Sequence, residues 1–190
     1  MKTLTCIVGL VQDGVVYMGG DSAGVNDSFD LRVQKNPKVF VVDGRFIIGF
    51  TNSFRMGQLL QYSLKVPWQK KSQDDYGYMC TTFINAVRKC FEKGGFMGED
   101  DDDDDRETGG TFLVGYRGRL FTVEEDFQVS EYLYSCAAVG CGEDYAMGAL
   151  FVTERLGSPP EERIRLALEA AAHFSAGVHP PFVIIRLPVR

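Results

Sequence analysis

Hydrophobic and polar positions change period along this chain. Thr5 to Val11 and Val15 to Met18 are β-branched and apolar runs on either side of Asp13-Gly14, the pattern of a tight hairpin. Lys38 to Val42 and Arg45 to Phe50 repeat it around Asp43-Gly44, and Thr111 to Tyr116 and Arg119 to Val123 around Arg117-Gly118. Between the second and third hairpins the apolar spacing becomes helical. Phe54 to Val66 reads as a helix behind an Asn52 or Ser53 cap and ahead of Pro67. Tyr76 to Lys93 reads as a second, with Tyr76, Met79, Phe83, Val87, Cys90 and Phe91 on one face and Gly94-Gly95 as its stop. A strand near Ser135 to Gly140, a helix over Asp144 to Leu156, a helix from Ser158-Pro159-Pro160-Glu161 to about Phe174, and a closing strand over Pro181 to Val189 complete the series.

Several strands, such as Cys6 to Val11 and Phe46 to Phe50, are apolar on both faces, so each must be covered twice. Two antiparallel sheets between two helical layers satisfy that demand, which makes the expected class α+β, a four-layer αββα sandwich. No linker or internal repeat divides residues 1–190, and a single domain is expected.

Composition narrows the function. The 190 residues are 45% hydrophobic and 24% charged, ordinary for a globular chain, and no apolar run approaches bilayer length. Twenty Lys and Arg stand against twenty-six Asp and Glu, a net charge of −6, which argues against binding nucleic acid through its phosphates. Seven of the acids are consecutive, Glu99 to Asp105, inside an expected loop insertion at 98–109. That run is too charged to enter an apolar interface without paired cations, so it is expected to face solvent at a pore or outer surface. Five cysteines with no CxxC pair, and a start, MKTLTCIVGL, without the features of a secretory signal, point to a reducing cytoplasm and no membrane anchorage. Neither His173 nor His179 stands in a metal-binding pattern, so no metal or cofactor is expected.

The remaining signals act together. Thr5-Cys6-Ile7-Val8-Gly9, the hairpin ending Met18-Gly19-Gly20-Asp21, Lys38-Val39, Gly49, and Gly140-Cys141-Gly142 ahead of a helix resemble the proteasome β subunit family of N-terminal nucleophile hydrolases. The likeness is nearest to its bacterial HslV or ClpQ branch and spans almost the whole chain. It implies the αββα fold and makes Thr5 the nucleophile, freed by scission after a propeptide of residues 1–4. A free α-amine, with an ordinary pKa of about 7.7–8.0, then serves as the base that a Thr hydroxyl needs. Asp21 and Lys38 match the family's acid and cation, Gly49 its oxyanion N–H donor, and Cys141 a position commonly held by Ser. The family's Asp and Ser after the last long helix have no in-register match in His173-Phe174-Ser175-Ala176-Gly177. His173 reads as a helix-terminal residue favoured by the dipole.

The resemblance implies a threonine-type endopeptidase acting on protein or peptide substrates, enclosed in stacked hexameric or heptameric rings and served by an ATP-dependent unfoldase. Two alternatives share the fold: a small-molecule amidohydrolase with the same nucleophile, and a non-catalytic ring subunit. Cys6 is a rival nucleophile, but starting there shifts the match to Asp21 and Lys38 by one strand position and so turns the side chain to the opposite face.

Overall fold

The computed structural model describes residues 4–25, 30–96 and 110–188. Of the expected propeptide only Leu4 falls within it, and the acidic insertion at 98–109 lies outside the described residues. β1 (Cys6–Gln12) and β2 (Val15–Gly20) form the first hairpin, followed by a short ribbon of β3 (Ala23–Val25) and β4 (Leu31–Val33). β5 (Val39–Val42) and β6 (Phe46–Phe50) form the second hairpin, and β7 (Phe112–Tyr116) and β8 (Arg119–Val123) the third. All three turns place both central residues in the left-handed region, at Asp13-Gly14, Asp43-Gly44 and Arg117-Gly118. This twist matches that of the flanking strands.

β9 (Val129–Ser130) extends the second sheet, β10 (Cys136–Gly140) and β11 (Val183–Leu187) the first. The sheets run β10-β1-β2-β11 and β5-β6-β7-β8-β9, with every pairing antiparallel. Alternation along β1 shows how they stack. Cys6, Val8 and Leu10 pack on Ala146, Leu150, Ile164 and Leu168 of α4 (Glu143–Arg155) and α5 (Pro160–Phe174), while Ile7 lies with Val39, Ile47 and Leu113 between the sheets. The other sheet buries Phe46, Ile48 and Phe112 against α1 (Phe54–Tyr62), α2 (Asp75–Tyr78) and α3 (Ile84–Lys93). The architecture is the four-layer α+β sandwich.

Some boundaries differ from the sequence reading. α1 begins at its Ser53 cap, whose side chain accepts from Arg55 and Met56, but stops at Tyr62. Leu64 and Val66 continue the apolar pattern as buried extended chain, so the pattern outlasts the helix. The second helical stretch contains a π-helical segment at Met79–Phe83 between α2 and α3. α5 is capped at Pro159 with Pro160 at its first turn, and Ser158 instead donates its N–H to Thr153 at the end of α4.

Candidate active site

The β1–β2 hairpin brings Thr5, just ahead of β1, beside Asp21, just beyond β2. The Asp21 N–H donates to Cys6 O at 3.3 Å, continuing the pairing past the strand end. Lys38 enters from the other sheet, immediately before β5. Its Nζ lies 2.6 Å from Thr5 Oγ1 and 2.9 Å from Asp21 Oδ1. Thr5, Asp21 and Lys38 are all buried. The Asp21 carboxylate also accepts the Cys6 N–H at 3.0 Å on Oδ1, and the N–H groups of Ala23 at 2.8 Å and His179 at 3.3 Å on Oδ2. Four donors therefore converge on one carboxylate, and His179 contributes through its backbone.

Burial lowers the Lys38 pKa from its usual value by penalising the ammonium, and the Asp21 charge opposes that shift. An amine in that position can both donate to an oxygen and take up a proton. The Cys6 thiol is driven far above its usual pKa by burial, with Asp21 adding to the effect. Its side chain also packs in the core against α4 and α5, so Cys6 has neither the ionisation nor the placement of a nucleophile.

Gly49 lies in the middle of the second sheet, opposite Val39 and Leu113. Phe50 donates its N–H to Lys38 O at 3.1 Å, and Thr51 donates to Thr111 O at 3.2 Å on the other side. Strand alternation then turns the Gly49 N–H toward Leu113 in the β7 ladder. That orientation disagrees with the expected oxyanion role for Gly49. The chain turns just after β6 at Asn52, which adopts φ 63° and whose N–H has no acceptor among the described residues. The Asn52 side chain is fixed by Thr51 Oγ1 and by Glu125, to which Nδ2 donates at 3.0 Å.

Cys141 Sγ lies 3.2 Å from Ser175 Oγ, so the residue that looked out of register in sequence reaches this turn in space. The preceding Gly140 has φ 101°, and a Cβ there would run into the Thr5 carbonyl oxygen. Only glycine satisfies both demands. His173 lies in the last turn of α5 with its ring edge-on to Phe174, away from the contacts of Thr5 and Asp21.

Two recesses flank the corner. One of about 340 Å³ is lined by Gln34, Asn36, Phe50, Phe54 and Gln58, and the Phe54 ring lies 5.9 Å from Lys38 Nζ. The other, about 380 Å³, is bounded by Gly140, Cys141, Glu124 and Glu143. Burial raises the carboxyl pKa of both glutamates, with the neighbouring acids adding to it. Among the described residues no His, Cys, Asp and Glu group is arranged to hold a metal ion, and no helix is long and apolar enough to cross a membrane.

The chain has the N-terminal nucleophile hydrolase fold in its HslV-like and proteasome-like form. It is similar to BPH of Thiobacillus denitrificans at 21% identity and TM-score 0.77, covering 97% of this chain and 98% of that one. The same protein in complex with epoxomicin aligns at 20% identity and TM-score 0.76, over 97% and 99% of the two chains. The HslV of Trypanosoma brucei aligns at 15% identity and TM-score 0.68, over 96% and 99%. No family model and no curated protein sequence matches the chain.

Proposed function

We propose that the chain is a threonine-type endopeptidase whose nucleophile, Thr5 Oγ1, becomes N-terminal when the Leu4–Thr5 bond is cut. The observation that carries this reading is the contact of Lys38 Nζ with Thr5 Oγ1 in a buried corner anchored by Asp21. In scission, Oγ1 bonds to the Leu4 carbonyl carbon while its proton passes to the Thr5 nitrogen. The C–N bond breaks to leave an ester, and water hydrolyses that ester to a Leu4 carboxylate and a free Thr5 amine. The amine, at an ordinary pKa of about 7.7–8.0, then serves as the proton acceptor when Oγ1 attacks a substrate carbonyl. The proton goes on to the leaving amine, and water resolves the acyl ester.

Lys38 steadies the developing negative charge on Oγ1, Asp21 holds Lys38, and Cys141 with Ser175 supports the side on which the amine forms. The oxyanion donor is the Asn52 N–H in place of Gly49, because the turn after β6 leaves it unpaired among the described residues. Five free cysteines favour a reducing, cytoplasmic setting. Hexameric or heptameric rings stacked in pairs would enclose so unselective a site, with an ATP-dependent unfoldase delivering protein substrates.

Intact mass and peptide-amide hydrolysis test the reading together. The wild type should lose Met1 to Leu4 and turn over substrate. Thr5→Ala should keep residues 1–4, fold normally and be inactive. Epoxomicin, seen bound to the Thiobacillus protein, should add its mass to the wild type and not to Thr5→Ala. Full activity in a chain that retains Met1 to Leu4 would overturn the proposal.

A further inference from the structure

A third cavity, of about 510 Å³, lies at the far end of the β5–β6 hairpin from Thr5, between the Asp43-Gly44 and Arg117-Gly118 turns and the segment from Trp68 to Lys71. Its lining gathers Arg45, Lys70, Lys71 and Arg117 against the single carboxylate of Asp43, on a chain whose net charge is −6. Lys70 and Lys71 are exposed, and no carboxylate among the described residues pairs with either. The Arg45 guanidinium carbon lies 4.2 Å from the Trp68 ring centroid and 5.0 Å from that of Phe46. Its Nε and Nη1 are buried without an acceptor, while Nη2 donates to Val66 O and Asp43. Trp68, the only tryptophan in the chain, is 78% exposed.

We propose that this cavity docks the acidic run, Glu99 to Asp105, of a second copy of the chain. Seven consecutive carboxylates need cations before they can enter an interface, and of the four that line the cavity Lys70 and Lys71 are uncommitted, while Arg45 is paired with Asp43 and Arg117 with Asp75. The cations stand on separate loops around an open recess, an arrangement that suits an extended polyanion better than one small anion. The Gln69 amide is already engaged by Tyr116, Arg117, Gln73 and Asp75, so it is not free to read a base. Gly110 lies against Met56 and Asn52 at the start of β7, whereas the cavity lies at the far end of that strand, beside Tyr116. Gly110 and the cavity thus lie at opposite ends of β7, the placement that a head-to-tail contact needs, the type that closes rings. The inference is independent of the chemistry at Thr5.

Light scattering on the full chain, at low and high salt, tests it. Lys70→Glu with Lys71→Glu should raise the concentration for half-assembly by about tenfold or more, and reversing the run to lysines should do the same. Added salt should weaken wild-type assembly. Mixing the two reversed chains should restore assembly, because each then offers the other a complementary partner. Trp68 emission should shift on wild-type assembly and stay fixed in the Lys70→Glu, Lys71→Glu chain, whose circular dichroism should be unchanged because both positions are exposed. A wild type that is monomeric throughout, assembly indifferent to both reversals, or no recovery on mixing would overturn the proposal. So would a Trp68 shift induced by inorganic triphosphate but not by a peptide of residues 98–109.

Discussion

The β5–β6 hairpin carries a cation at each end, and the two are buried by opposite means. Lys38, before β5, is enclosed with its ammonium bonded to Thr5 and Asp21. Arg45, just past the Asp43-Gly44 turn, has an 11% exposed side chain, two nitrogens without an acceptor, and aromatic rings nearby. A compact ammonium must be matched by a fixed acceptor when buried, whereas a planar, weakly hydrated guanidinium can lie against π faces. The first end is therefore stable only as a complete polar set, and the second tolerates rearrangement.

Substitutions can test this contrast. Asp21→Ala leaves the Lys38 charge buried without its counter-ion and should cost about 3–5 kcal/mol, read as a lower urea midpoint. Lys38→Met should be milder for stability, since three backbone N–H groups still serve Asp21. Peptide hydrolysis should nevertheless fall by about 10²–10³-fold, and unchanged turnover would remove Lys38 from the chemistry. Arg45→Ala loses the ring contacts and the bond to Val66 O, and should cost about 1–2 kcal/mol with hydrolysis unchanged.

The pH dependence of stability separates the two ends further. Because the folded Lys38 pKa is lowered, the unfolded chain binds more protons in the window between that value and the usual 10.5. Wild type should therefore gain stability relative to Lys38→Met as pH rises through that window, a trend that paired urea titrations would detect. The smallest effect expected is at Glu143, whose raised carboxyl pKa works against folding at neutral pH. Glu143→Gln should raise Tm slightly at pH 7, and the gain should vanish as pH falls below about 4.5, where both states are protonated.

The features legible in the sequence were those encoded locally. Asp-Gly and Arg-Gly pairs announced the hairpins because their left-handed turns demand such residues, and doubly apolar strands announced the layers. The β3–β4 ribbon was not foreseen, since its strands have three residues each and β4 is exposed throughout. Around Thr5, the resemblance named three residues that the structure brings together, but it offered Gly49 where strand alternation turns the N–H away. Neither the Cys141 to Ser175 contact nor the His179 N–H on Asp21 leaves a local pattern, because each depends on where α5 delivers the chain after its last turn.

The Asp21 carboxylate has a temporal consequence as well. Its donors come from residues 6, 23, 38 and 179, so the last of them is 158 positions away from Asp21. Contacts of such separation form late, because a long loop must close before they are rewarded. During synthesis from the N-terminus, the first forty residues can pair with one another while the carboxylate still lacks a ligand from the far end of the chain. Completing the corner thus waits on nearly the whole polypeptide, and a nascent or truncated chain holds Thr5 in an unfinished setting.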